Sequence, residues 1–249
     1  MTLFEEPPIT RYDLHFVLAG IQVRVHPLFW LMAILFGYSS GNLIFLMIWI
    51  VCVFISILFH ELGHALMMRR FGQPSHIVLY MGGGLTVPEP TWWGIGGANI
   101  AFRPSQDVLM SLAGPGAGFL LAVLILGAVV AAGGSIGVTV LRGILPMPLA
   151  ILPAGGAIVN WFVMQMIWIN IFWGLINLMP VLPLDGGHIA QRILTSADPW
   201  NGRRKSLWIS CVTGAIVALL GLVLLESLFM VLLFGLLSLQ SYLSLRGLA

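Results

Sequence analysis

The chain reads as an all-α polytopic membrane protein, with about six transmembrane helices and one small membrane-associated β-hairpin between the second and third. Three observations carry this expectation. Hydrophobic residues make up 59% of the 249 and charged residues only 8%, at a mean hydropathy of +1.01, a balance foreign to water-soluble domains of this size. Charge is missing from long runs, the first lying between Arg24 and Glu61. Residues 76–81, His-Ile-Val-Leu-Tyr-Met, then change to β-type composition, and Gly82-Gly83-Gly84 separates them from Leu85-Thr86-Val87-Pro88.

Residues 25–60, 108–141, 143–184, 206–225 and 227–245 are free of charge, and each can supply one or two helices of about 20 residues. The turn signal Gly37-Tyr38-Ser39-Ser40-Gly41-Asn42 divides the first run. Six spans are expected, near residues 22–38, 43–68, 108–131, 157–182, 206–225 and 227–245. The connection 132–156 contains Pro146, Pro148 and Pro153 and reads as a loop or shallow re-entrant piece. The segment before Val23 lacks the pattern of a cleavable signal, so no removal is expected.

With six spans both termini share one side. Placing them in the cytoplasm puts Arg11, Arg24, Arg69, Arg70, Arg103, Arg192, Arg203, Arg204, Lys205 and Arg246 inside and only Arg142 outside, as the positive-inside rule requires. The cluster Arg203-Arg204-Lys205 flanks a span and is read as a topology signal, with no nucleic-acid partner expected. Cys52 and Cys211 fall within expected spans, as free thiols. The methionines and tryptophans are read as packing residues and interface anchors.

Chemistry concentrates at His60-Glu61-Leu62-Gly63-His64. On a helix, positions i and i+4 share a face, so two imidazoles about 6 Å apart along the axis can grip one metal ion. Glu61 stands beside them as a candidate base. A carboxylate in apolar surroundings costs several kcal/mol unless something compensates, which argues against plain helix packing. Two histidines leave zinc short of a ligand. The segment Asn177-Leu178-Met179-Pro180-Val181-Leu182-Pro183-Leu184-Asp185-Gly186-Gly187-His188 offers Asp185 on the same cytoplasmic half, with prolines that break the helix and glycines that permit a tight backbone. His188 is read as a polar residue at the membrane boundary, and His15, His26 and His76 show no ligand spacing.

Together these two segments resemble the site-2 protease family of intramembrane metalloproteases. Ser111-Leu112-Ala113-Gly114-Pro115 is a third matching piece, and the resemblance covers about residues 43–190 as the family's three-helix core. It implies that His60, His64 and Asp185 bind one zinc ion and that Glu61 activates water, with Asn177 a candidate for substrate backbone or oxyanion binding. The family often has Asn where this chain has Gly118, which favours close helix packing over a polar role there. The family's β element also implies that residues Ile77, Val78, Leu79, Tyr80, Gly82 and Gly83 dock an unwound substrate by strand addition. With no room for a PDZ-like insertion or C-terminal domain, a compact variant is expected, a single membrane-embedded domain over 1–249 in a prokaryotic cytoplasmic membrane. Its partners would be a transmembrane protein substrate and the lipid bilayer. The glycine triplet lacks the Gly-Lys-Ser/Thr of a phosphate loop. Rival readings are a metal-ion transporter, in which His and Asp would be passage ligands, and a non-catalytic binding relative.

Overall fold

The computed structural model describes residues 6–37, 42–89, 102–141, 143, 145–224 and 226–247. The turn signal at 38–41 and the single outside charge at Arg142 lie outside the described residues. Two compact units emerge from the packing.

The first unit contains a four-stranded sheet of order β1-β2-β3-β4, formed by Leu14–Leu18, Ile21–Val25, Ser75–Tyr80 and Gly83–Pro88. β1 and β2 close through Ala19 and Gly20, both at positive φ, as a two-residue hairpin demands. Ile21, Val23 and Val25 alternate into the core, while Arg24 is buried among Asp13, Glu6 and the Pro7 carbonyl. β2 and β3 run parallel, β3 and β4 antiparallel. The sheet packs through Ile21, Val23, Val25, Ile77 and Leu79 on Ile57, Leu58 and Ala65 of helix α2, Leu43–Arg70. Helix α1, Pro27–Gly37, adds Phe29 to this cluster.

Also in this unit are most of α3, Pro104–Ala131, and of α4, Gly156–Asn177. Pro115 stands inside α3 and supplies no N–H to the carbonyl of Ser111. Strands β5, Ser135–Leu141, and β6, Leu145–Ile151, form a separate two-stranded sheet. Ala150 of β6 joins Val129, Val163 and Ile167 in a second apolar cluster.

The second unit holds helices α5, Asp185–Ala197, α6, Gly202–Val223, and α7, Leu228–Arg246. Ser210 of α6 exchanges a 2.7 Å hydrogen bond with Ser241 of α7 and accepts one from the Leu182 amide at 2.8 Å. Arg192 pairs with Asp107 at the start of α3.

Among the described residues, five helices are long and apolar enough to cross a membrane: α2, α3, α6, α7 and the segment Pro153–Asn177 that includes α4. The expected first span at 22–38 takes another form. Residues 22–25 belong to β2, because the Gln-Val-Arg-Val alternation has the period of a strand, and α1 has only 11 residues, about 16 Å against a hydrocarbon core of about 30 Å. Sequence reasoning also missed β1, the pairing of β2 with β3, the β5–β6 ribbon within the expected loop 132–156, and α5 as a helix.

Candidate metal centre

His60, Glu61 and His64 lie in the C-terminal half of α2, with His60 and Glu61 buried. The two Nε2 atoms stand 3.2 Å apart, with the rings nearly perpendicular at 77°. Tetrahedral zinc with nitrogen at its usual bond length separates two donors by about 3.4 Å. The pair therefore converges as a shared ion requires.

Space for this convergence comes from α3. A Cβ on Gly114 would fall 2.5 Å from His64 Cε1 and 2.8 Å from His60 Nε2, so any side chain there would fill the place where the imidazoles meet. One turn of α2 on, Gly63 lets α3 approach until a Cβ would lie 2.9 Å from Ala117 Cβ. Small residues on both helices thus bring the two backbones together, as in other membrane bundles.

Beneath the histidines lies a polar layer. Asn170 of α4 donates to Ser56 Oγ at 2.9 Å and to the Met166 carbonyl at 2.7 Å. Gly118 sits against this asparagine, a built Cβ lying 3.4 Å from its Oδ1. The polar group at this level comes from α4, where a lone Asn in an apolar run was its only sequence signal.

Glu61 is held by β4. Thr86 Oγ1 lies 2.8 Å from Glu61 Oε2 and 3.1 Å from the Glu61 carbonyl oxygen. A Cβ on Gly84 would come within 2.5 Å of Glu61 Oε1. Gly84 and Thr86 are two apart and share one face of the strand. Gly83, on the other face and at φ +117°, meets the Trp173 ring of α4, where a Cβ would lie 2.8 Å from Cζ2. Thr86 and Trp173 were missed by sequence reasoning, since neither residue type carries a motif.

The second unit places Asp185 in the first turn of α5, after Leu184 in extended conformation. Pro180 and Pro183 keep residues 178–184 out of helix, as their chemistry dictates. Gly186 and Gly187 act differently from the expected turn. Both are helical and serve close approach, their built Cβ atoms falling 2.5 Å from the Met179 carbonyl oxygen and 2.5 Å from the Val181 carbonyl carbon. Asn177 is buried at the C-terminus of α4, and His188 is exposed on α5. Asp185 thus belongs to the second unit and His60 and His64 to the first, and all three are of residue types that ligate metal ions.

The expected docking strand needs correction. Ile77, Val78, Leu79 and Tyr80 belong to β3, in which Ile77 to Leu79 are paired on both sides by β2 and β4 and Tyr80 is paired with Gly83 of β4. Gly82 lies in the turn, and Gly83 opens β4, which among the described residues has no strand on its outer side.

The model of peptidase family M50 matches residues 48–221. A zinc metalloprotease of Methanocaldococcus jannaschii is 26% identical over 228 residues, covering 90% of this chain and 54% of that protein. A Synechocystis protein whose name also carries the words zinc metalloprotease is 29% identical over 143 residues, 57% of this chain and 30% of the relative. The chain thus spans about half the length, or less, of these relatives. The solved structure of a site-2 protease from Methanocaldococcus jannaschii superposes with a TM-score of 0.58 at 21% identity, covering 94% of this chain and 96% of that one, so the two share a fold. Five apolar helices make the protein an integral, multi-pass membrane protein, and it belongs to peptidase family M50.

Proposed function

We propose that the protein is a zinc-dependent intramembrane endopeptidase that hydrolyses a peptide bond in or near a transmembrane segment of another membrane protein. The observation that carries this reading is the pair of Nε2 atoms 3.2 Å apart over the bare Cα of Gly114, with buried Glu61 next to His60 in the same helix. His60, His64 and Asp185 would hold one zinc ion, two imidazoles and a carboxylate being a common catalytic donor set. Zinc, when bound, polarises the scissile carbonyl and makes water a stronger acid. Glu61 accepts the proton of the attacking water and returns it to the leaving amine, so no covalent enzyme intermediate forms. Asn177 donates to the substrate backbone or to the developing oxyanion.

A helical substrate hides its carbonyls in hydrogen bonds and must unwind before cleavage. The outer edge of β4, unpaired by any strand among the described residues, supports docking of the unwound segment by strand addition, in place of the enclosed β3. Both termini and the site face the cytoplasm of a prokaryotic cell in this reading, on the distribution of basic residues. The product would be a cytoplasmic fragment, as in regulated intramembrane proteolysis.

The test uses protein purified in detergent, synthetic transmembrane segments and mass spectrometry of the products. Wild type should cut, and Glu61→Gln should bind zinc without cutting. Equal product from both variants would remove Glu61 from the chemistry and the endopeptidase reading with it. Zinc flux in reconstituted vesicles without cleavage would replace it with transport.

A further inference from the structure

We infer that Thr86 is a positioning residue for the reaction, its hydroxyl fixing the Glu61 carboxylate and tying the orientation of this base to the edge strand β4. The inference rests on the endopeptidase reading of Glu61.

Glutamate has three side-chain torsions, and a carboxylate at the end of them samples many directions unless it is tethered. Here the tether is specific. Thr86 Oγ1 reaches Glu61 Oε2 at 2.8 Å, the usual length of an O–H···O hydrogen bond, while the Glu61 carbonyl 3.1 Å away keeps the hydroxyl close to the same residue. Thr86 holds Oε2 and not Oε1, and at Gly84 the strand passes Oε1 without the Cβ that would press on it. One carboxylate oxygen is therefore held by a hydroxyl and the other faces a residue with no side chain, which suits a base that must meet a water molecule on one side.

The backbone of Thr86 carries the second half of the inference. Tyr80 and Gly83 close a two-residue hairpin and exchange both ladder hydrogen bonds, so alternate residues of β4 turn their backbone groups the other way. Gly84 and Thr86 accordingly direct N–H and C=O away from β3, towards the side of β4 that has no strand among the described residues. Pro88, next in the same phase, has no N–H, so the donor row ends at Thr86. A strand added at this edge would bond to the backbone of the residue whose side chain holds the base. Binding of an extended segment and orientation of Glu61 would then be coupled through one residue.

The experiment compares wild type, Thr86→Val and Thr86→Ser as full chains in detergent, with Glu61→Gln as the reference. Steady-state cleavage of a synthetic transmembrane segment gives kcat and KM. Difference infrared spectroscopy gives the carboxylate stretch of Glu61, identified as the band lost in Glu61→Gln. Thr86→Val keeps the shape and removes the hydroxyl. It should lower kcat by about tenfold to a hundredfold, the range for a lost hydrogen bond to a charged group, with KM changed less than about threefold. It should also shift the infrared band, while Thr86→Ser recovers both to near wild type. A Thr86→Val enzyme with undiminished kcat, an unmoved band, or a Thr86→Ser variant as impaired as Thr86→Val would overturn the inference and leave the endopeptidase reading standing. Wild type that cuts nothing in a Glu61-dependent way would take down both.

Discussion

Replacing Gly114 by Ala tests the metal centre without touching a ligand. The added methyl would sit 2.5 Å from His64 Cε1 and 2.8 Å from His60 Nε2, where 3.0 Å is the nearest approach that real Cβ atoms make and 3.4 Å an ordinary one. The His64 ring, whose Nε2 lies nearer still, must therefore retreat by about 0.9 Å at least and about 1.3 Å for comfort. Metal–nitrogen bonds tolerate only about 0.2 Å. One imidazole at minimum leaves coordinating range, and zinc affinity should fall by about a hundredfold or more, equivalent to about 2.7 kcal/mol. Gly116 is the matched control. It lies in the same helix with nothing within 4 Å of its built Cβ, so Gly116→Ala should bind zinc like wild type. Competition with a chromophoric chelator in detergent measures both affinities, and melting in excess chelator shows whether each apo-protein remains folded. If Gly114→Ala is folded and holds zinc within about threefold of wild type, the reasoning from the histidine pair is refuted.

Two further outcomes concern the sheet. The Asp13 side chain is fully buried; burial opposes its charge, but the Thr10 hydroxyl and amide together with Arg24 outweigh this and hold its carboxyl below the usual range. A folded-state pKa below the unfolded one stabilises the fold above the ordinary carboxylate pKa and ceases to do so as pH falls through the lowered value. Melting temperature should drop over that acidic window, and Asp13→Asn should be less stable at neutral pH with a flatter acid profile; an unchanged profile would show that the Asp13–Arg24 pair does not matter. For docking, a photo-crosslinking residue at Leu85 of β4 should capture a transmembrane peptide that the same residue at Val17 of β1, the opposite edge, does not. Equal capture at both edges would reject β4 as the docking strand.

What the sequence reveals here is what has a period or a signature. Charge-free runs of helix length announce α2, α3, α4, α6 and α7, because a bilayer forces length and apolarity together. His60, Glu61 and His64 are legible because i, i+4 spacing fixes a shared face whatever the rest of the fold does. Pairing between distant strands is another matter. Nothing local in Ile77 to Tyr80 says that β2, some fifty residues earlier, covers their edge, and an apolar strand next to a span looks like part of the span. Thr86 and Asn170 were illegible for a related reason: each matters through one contact made by tertiary packing, with Glu61 and Ser56 respectively.

Ser56 lies four residues before His60, on the same side of α2, and its bond to Asn170 fixes the azimuth of that helix. In a uniformly greasy cylinder, rotation about the long axis would meet little resistance, since one leucine exchanges for another. A single amide anchored one turn below sets the phase with which both imidazoles emerge. Inserting one residue between 56 and 60 would swing them through about 100°, away from Gly114, with the helix otherwise intact.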